Sequence, residues 1–154
     1  MPPYIAVVGP GEATAAQSTS AEAIGRGLAQ HGAVLLTGGH GGVMAAACRG
    51  AATAGGVSVG ILPGTDRSAA NQWVSVALAT GLGELRNGLI VRAADVVIAV
   101  GGAYGTLSEV ALALKTGVPV VGLDTWALDG IEPVASPEAA VARALALAAP
   151  STAG

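Results

Sequence analysis

Short runs of aliphatic and β-branched residues alternate with alanine-rich windows along the chain, and clusters of glycine separate one from the next. Tyr4–Val8 and residues 33–37, 57–62, 95–100 and 119–123 read as strands. Each is a brief, nearly unbroken apolar run flanked by glycine, proline or polar residues. Residues 73–78 read as a further short strand, set off from the third by the polar stretch 65–72. The windows between carry helical signals. Thr19-Ser20-Ala21-Glu22 fits a capping box and predicts a helix to about His31, where Gly32 stops it. Residues 43–54 and 84–94 predict two more, the first closed by Gly55-Gly56, and another runs on from Gly105 to near Gly117. Pro137 and Glu138 suit the first turn of a closing helix that reaches about Ala149.

Regular strand–helix alternation implies right-handed parallel crossovers. The expected fold is a Rossmann-like, doubly wound, mainly parallel α/β sheet with helices on both faces. In such sheets ligands lie beyond the carboxyl ends of the strands. Those ends carry Gly9-Pro10-Gly11, Gly38-Gly39-His40-Gly41-Gly42, Pro63-Gly64 and Gly101-Gly102-Ala103-Tyr104-Gly105, so glycine-marked tips gather on one rim. No repeat or linker interrupts the pattern, which predicts a single domain over residues 1–154.

Composition adds limits. Hydrophobic residues make up 52% and charged residues 11%, which suits strands buried on both faces. The net charge of -3, with Lys115 as sole lysine, argues against general nucleic-acid binding or an acidic membrane surface. A specific anion site needs only one or two cations plus backbone N–H groups, so a phosphate-bearing ligand stays open. Cys48 stands alone, and nothing has metal-ligand spacing, so neither a disulfide nor a metal site is expected. With no basic-then-apolar leader and no apolar run near the roughly 20 residues that span a bilayer, a cytoplasmic location without membrane contact is expected.

The glycines at 101, 102 and 105 let backbone N–H groups converge on phosphate oxygens, and the following helix adds the positive end of its dipole. Thr106 adds a hydroxyl. Thr106 and Glu109 also have capping-box spacing, and the residues alone leave the ligand and capping readings open. Four glycines around His40 exceed what a strand-to-helix turn needs and favour close backbone approach to a ligand. Arg86, early in its predicted helix, opposes the helix dipole. Its partner is a ligand anion, a carboxylate such as Glu109, or solvent. Asn71, Asn87 and Asp66 fall on expected rim loops, where turn chemistry accounts for them as well.

Together these motifs resemble the superfamily that joins molybdenum cofactor carrier proteins to the LOG-type phosphoribohydrolases, once labelled lysine decarboxylases. The likeness runs from Ile5 to about Leu123. It rests on Thr37-Gly38-Gly39-His40-Gly41-Gly42-Val43-Met44, Gly81-Leu82-Gly83-Glu84-Leu85-Arg86-Asn87 and Gly101-Gly102-Ala103-Tyr104-Gly105-Thr106-Leu107-Ser108-Glu109, and is nearer to the carrier branch. Motifs and resemblance give one binding set: Gly9, Gly38, Gly39, Gly41, Gly42, Asn87, Gly101, Gly102, Tyr104, Gly105 and Thr106. The resemblance implies a phosphorylated small molecule as ligand, molybdenum cofactor or an AMP-type nucleotide, with no further cofactor required. It also implies a homodimer or homotetramer, as do apolar helices in excess of what one small sheet buries.

In the hydrolases, an arginine and a glutamate matching Arg86 and Glu109 are regarded as catalytic in cleaving the N-glycosidic bond of nucleoside 5′-monophosphates. On that reading Gly102, Gly105 and Thr106 hold the phosphate, Arg86 orients the ribose phosphate or the leaving base, and Glu109 stabilises an oxocarbenium-like transition state or positions water. This chain has Val100 where the hydrolases have proline, Leu85 where they have glutamate, and Asn87 where they have lysine. Losing charged groups beside a reacting centre costs catalysis more than binding. The expectation is a binding or carrier protein first, a phosphoribohydrolase second, and a nucleotide sensor without turnover third. Lys115, late in a helix, lacks the setting of a Schiff-base lysine, which argues against decarboxylation. Gly9-Pro10-Gly11-Glu12-Ala13-Thr14 departs from G-x-G-x-x-G, which argues against a dehydrogenase.

Overall fold

The structure, a computed structural model, describes residues 1–150, so residues 151–154 of the expected domain lie outside the described residues. Seven strands form one sheet in the order β4-β3-β2-β1-β5-β6-β7, and every pairing is parallel. They are β1 (Tyr4–Val8), β2 (Val34–Thr37), β3 (Ser58–Leu62), β4 (Val76–Ala79), β5 (Val96–Val100), β6 (Val120–Leu123) and β7 (Ile131–Pro133). The helices are α1 (Ala15–Gln30), α2 (Val43–Thr53), α3 (Arg86–Ala93), α4 (Tyr104–Thr116) and α5 (Pro137–Ala148).

Because strand side chains alternate between faces, the sheet feeds two cores. Ile5, Val7, Leu35 and Ile98 pack with α1, α2 and α5, while Ala6, Val8, Leu36 and Val97 pack with α3 and α4. All of β5 is buried, which is why its sequence is one unbroken apolar run. The doubly wound reading of the sequence therefore holds.

Local differences have identifiable causes. α1 opens at Ala15, and Thr14 is its N-cap: Thr14 Oγ1 accepts from the Gln17 N–H at 3.1 Å, and Gln17 Oε1 accepts from the Thr14 N–H at 3.0 Å. The capping box expected at Thr19 and Glu22 lies inside the helix instead. Thr19 donates back to the Ala15 carbonyl at 2.9 Å, and Glu22 faces α2, paired with Arg49 at 2.8 Å. The strand expected over 73–78 starts at Val76, since Trp73 belongs to a turn in which its N–H donates to Asn71 Oδ1 at 3.0 Å. The helix expected over 84–94 starts at Arg86, after a 3-10 turn over Gly83–Leu85. β7 carries too short an apolar pattern to be read from sequence, and Pro133 sits where only an edge strand accepts it.

α1 and α2 cross in direct backbone contact. A Cβ on Gly25 would overlap the Ala47 carbonyl, and one on Gly50 would overlap the Glu22 carbonyl. Glycine is required at both places because nothing larger fits.

Candidate functional site

After β1 the chain leaves for one face of the sheet through α1; after neighbouring β5 it leaves for the other through α4. The two loops part over that pair of strands and open a crevice, the topological switch point of this fold. A cavity of about 210 Å³ lies there. Its walls include Gly9, Pro10 and Gly11 from the loop after β1, and Gly38 and Met44 from the loop and helix after β2. Arg86 and Asn87 enter from the start of α3, and Gly105, Thr106 and Glu109 from the first turns of α4.

Thr106 and Glu109 are one turn apart on the inner side of α4, 2% and 8% exposed. Ala103 is the N-cap of α4 and no side chain caps it, so the capping reading of Thr106 and Glu109 does not hold. Both lie within the helix and face the cavity. The first N–H groups of α4 are thus free of side-chain acceptors at the cavity edge, as an anion site requires.

Arg86 is the first residue of α3, and its guanidinium crosses the space above Gly38, where a Cβ would overlap it. Among the described residues Arg86 Nη1 and Thr106 Oγ1 are buried without a hydrogen-bond partner. A buried donor left unmade costs about 1–3 kcal/mol, and a bound anion would satisfy both of these. Arg86 and Glu109 feel each other's charge, but no direct ion pair joins them among the described residues. Burial dominates at Glu109 and pushes its carboxyl up to about 7, with Arg86 pulling the other way. Burial likewise draws Arg86 below its ordinary range, opposed by Glu109. His40, half-buried at the rim, is held below the usual imidazole range by burial and then by the Arg86 charge.

Of the residues singled out from sequence, Gly9, Gly38, Asn87, Gly105, Thr106, Arg86 and Glu109 line one cavity. Gly39, Gly41, Gly42, Gly101, Gly102 and Tyr104 are not part of its lining. Gly39 packs on Leu62, Gly42 turns with φ 63 against the Pro10 carbonyl, and Gly101 packs on the Gln17 side chain with φ 68. Tyr104 is 87% exposed. Asn71 is structural in this arrangement: its Nδ2 donates to the His40 carbonyl at 2.9 Å and its N–H to the Gly39 carbonyl at 2.8 Å, tying the glycine turn to the β3–β4 connection. Met44, which stands in the second glycine motif but was not singled out from sequence, also lines the cavity. Among the described residues no cluster of metal-ligating side chains forms, and no helix is long and apolar enough to cross a membrane.

Fold and cavity together define a doubly wound α/β protein with a polar, arginine-bearing crevice at its switch point. Residues 2–149 match the SLOG cluster4 family, and the chain belongs to it. It is 41% identical over 138 residues to an uncharacterized protein from Archaeoglobus fulgidus, covering 89% of this chain and 91% of that one. Among solved structures it is similar to the molybdenum cofactor binding protein of the phototrophic bacterium Rippkaea orientalis: TM-score 0.91, 40% identity, 96% of this chain and 98% of that one. It is also similar to the molybdenum cofactor carrier protein from Chlamydomonas reinhardtii: TM-score 0.88, 36% identity, again 96% and 98%.

Proposed function

We propose that this protein binds and carries a phosphate-bearing small molecule, with molybdenum cofactor as its cargo, and that the whole chain acts as one ligand-binding domain. The observation that carries this is the pair of unpartnered donors, Arg86 Nη1 and Thr106 Oγ1, facing one cavity at the start of α4. A terminal phosphate satisfies both and also takes up the free N–H groups of that helix. The likeness to cofactor-binding and carrier proteins at 36–40% identity over nearly the full chain supports the choice of cargo. At about 210 Å³ the cavity accepts a phosphate and its ester carbon; a typical small-molecule pocket holds about 300–1,000 Å³, so the rest of the ligand lies outside it. The exposed Leu82, Leu85 and Leu89, running from the 3-10 turn into α3, supply an apolar surface for a homodimer or homotetramer.

The phosphoribohydrolase reading draws on one feature, the buried Glu109 carboxyl with its raised pKa. It lacks a partner. Glycosidic cleavage ordinarily uses two carboxyl groups, and the cavity lining contains Glu109 alone, with Leu85 76% exposed where the hydrolases place a glutamate. Incubating the protein with molybdenum cofactor, separating it by gel filtration and measuring co-eluting molybdenum tests the carrier reading. Stoichiometric molybdenum on the parent chain and its loss in Arg86→Ala are expected; equal retention by both removes Arg86 from the site. Release of free base from AMP or isopentenyl-AMP, abolished in Glu109→Gln, would instead establish the hydrolase.

A further inference from the structure

Glu109 stands one turn along α4 from Thr106, in the same cavity as Arg86, and the carrier reading gives it no role. Among the described residues no ion pair holds its carboxyl, and Arg86 and Glu109 are the charged side chains of the lining. Ionised, Glu109 cancels the guanidinium charge and sets a negative charge beside any bound anion. Protonated, it leaves the lining with one net positive charge and becomes a hydrogen-bond donor.

The surroundings do not fix it in either form. β5 and β6, on which α4 packs, are free of charged residues. On α3, Arg92 is exposed, as are Glu12 past β1 and Glu84 ahead of α3. His40 reaches the rim, and burial with the Arg86 charge holds it below its ordinary range, so it is neutral in mildly alkaline solution. What remains is burial, which raises the Glu109 carboxyl to about 7, and Arg86, which opposes it.

We propose that Glu109 and the bound phosphate hold one proton between them, so that the cavity takes up a phosphate monoester together with a proton and releases both as the solution turns alkaline. The inference rests on the phosphate-ligand reading above. Arg86 Nη1, Thr106 Oγ1 and the first N–H groups of α4 are donors for a fully ionised phosphate. Glu109 completes the set in one of two ways. As the acid it donates to the dianion, and as the carboxylate it accepts from a P–OH group. Either arrangement contains one proton. With two, the ligand gives up one of its two negative charges; with none, two anions face each other. A monoester suits this pairing because its second ionisation, at about 6, lies close to that of Glu109. Sulfate has no proton to share in this range and binds only the acid form.

The test is calorimetric titration of the whole protein with methyl phosphate and with inorganic sulfate. Repeating it in buffers of unlike protonation enthalpy counts the protons exchanged on binding. At pH 8.5 each anion is expected to bring in close to one proton. Methyl phosphate should bind most tightly between pH 6 and 7 and weaken below pH 6 as it takes on its second proton, where sulfate keeps its affinity. Glu109→Gln, a donor at every pH, should bind both anions at pH 8.5 with no proton uptake and at least about ten-fold more tightly than the parent. The proposal fails if uptake by the parent at pH 8.5 is near zero, or if it persists in Glu109→Gln and so belongs to His40. Arg86→Ala tests the underlying reading separately. Loss of both anions in that variant upholds the cavity whatever the proton count. Unchanged binding there, or no binding of either anion by the parent, overturns the cavity and this proposal with it.

Discussion

Replacing Glu109 with glutamine isolates the cost of the buried carboxyl. Glu109 is 8% exposed, so solvent screens its charge little. Its folded carboxyl ionises near 7 and its ordinary value is 4.5. At about 1.4 kcal/mol for each pH unit, that gap amounts to roughly 3 kcal/mol. The fold accommodates the neutral form. The stability this group contributes is complete below pH 4.5, declines as pH rises, and is gone once the pH has passed about 7. Glutamine keeps the shape and the neutrality at every pH. A chain of this size gains about 2–4 °C in Tm per kcal/mol, so Glu109→Gln should melt roughly 6–12 °C above the parent at pH 8.5. At pH 4.5 the two should melt within a few degrees of each other. Differential scanning calorimetry in buffer free of phosphate and sulfate measures both gaps. An equal gap at the two pH values, or a less stable variant at pH 8.5, would refute the claim that this carboxyl is buried against its own charge.

Other outcomes follow from the same geometry. Sulfate, whose charge is constant between pH 5 and 9, should bind more weakly as pH rises through 7 and Glu109 acquires charge beside it, and Glu109→Gln should flatten that profile in calorimetric titrations. Thr106→Val removes an unpartnered hydroxyl without changing volume much; it should raise the Tm of the free protein by the equivalent of about 1 kcal/mol and weaken sulfate binding. Gly38→Ala places a methyl group where the Arg86 guanidinium lies, so sulfate affinity should fall about ten-fold with the far-ultraviolet dichroism spectrum intact. Gly42→Ala meets the Pro10 carbonyl at φ 63, and its loss should appear in stability, at about 1–3 kcal/mol by urea unfolding.

Strand–helix alternation, helical layers on both faces and the glycine-marked rim were legible in the sequence because each depends on a pattern that survives tertiary packing, whereas the order of the strands comes from the structure. Buried parallel strands such as β5 must be apolar throughout, and strand-to-helix turns must carry glycine. Helix starts were less legible: the Thr19–Glu22 spacing suggested a capping box, whereas Thr14 and Gln17 form it at the true start of α1. From the residues, Glu109 was one of three alternatives for the partner of Arg86, since nothing local brings the starts of α3 and α4 together; the motif resemblance singled the two out. Of the glycines around His40, Gly38 lines the cavity. Gly39 and Gly42 serve strand packing and a turn, requirements that look the same in sequence as approach to a ligand.

The glycine crossing of α1 over α2 has a consequence for how such a protein can diverge. With no side-chain layer between them, the two helices cannot slide or change angle to absorb a new residue, and the Gly42 end of α2 stays pinned beside Gly11. One wall of the crevice is therefore cast in a fixed mould. The opposite bank, where α3, the 101–103 turn and the loop past β6 meet solvent, carries no such constraint and can be redrawn one side chain at a time.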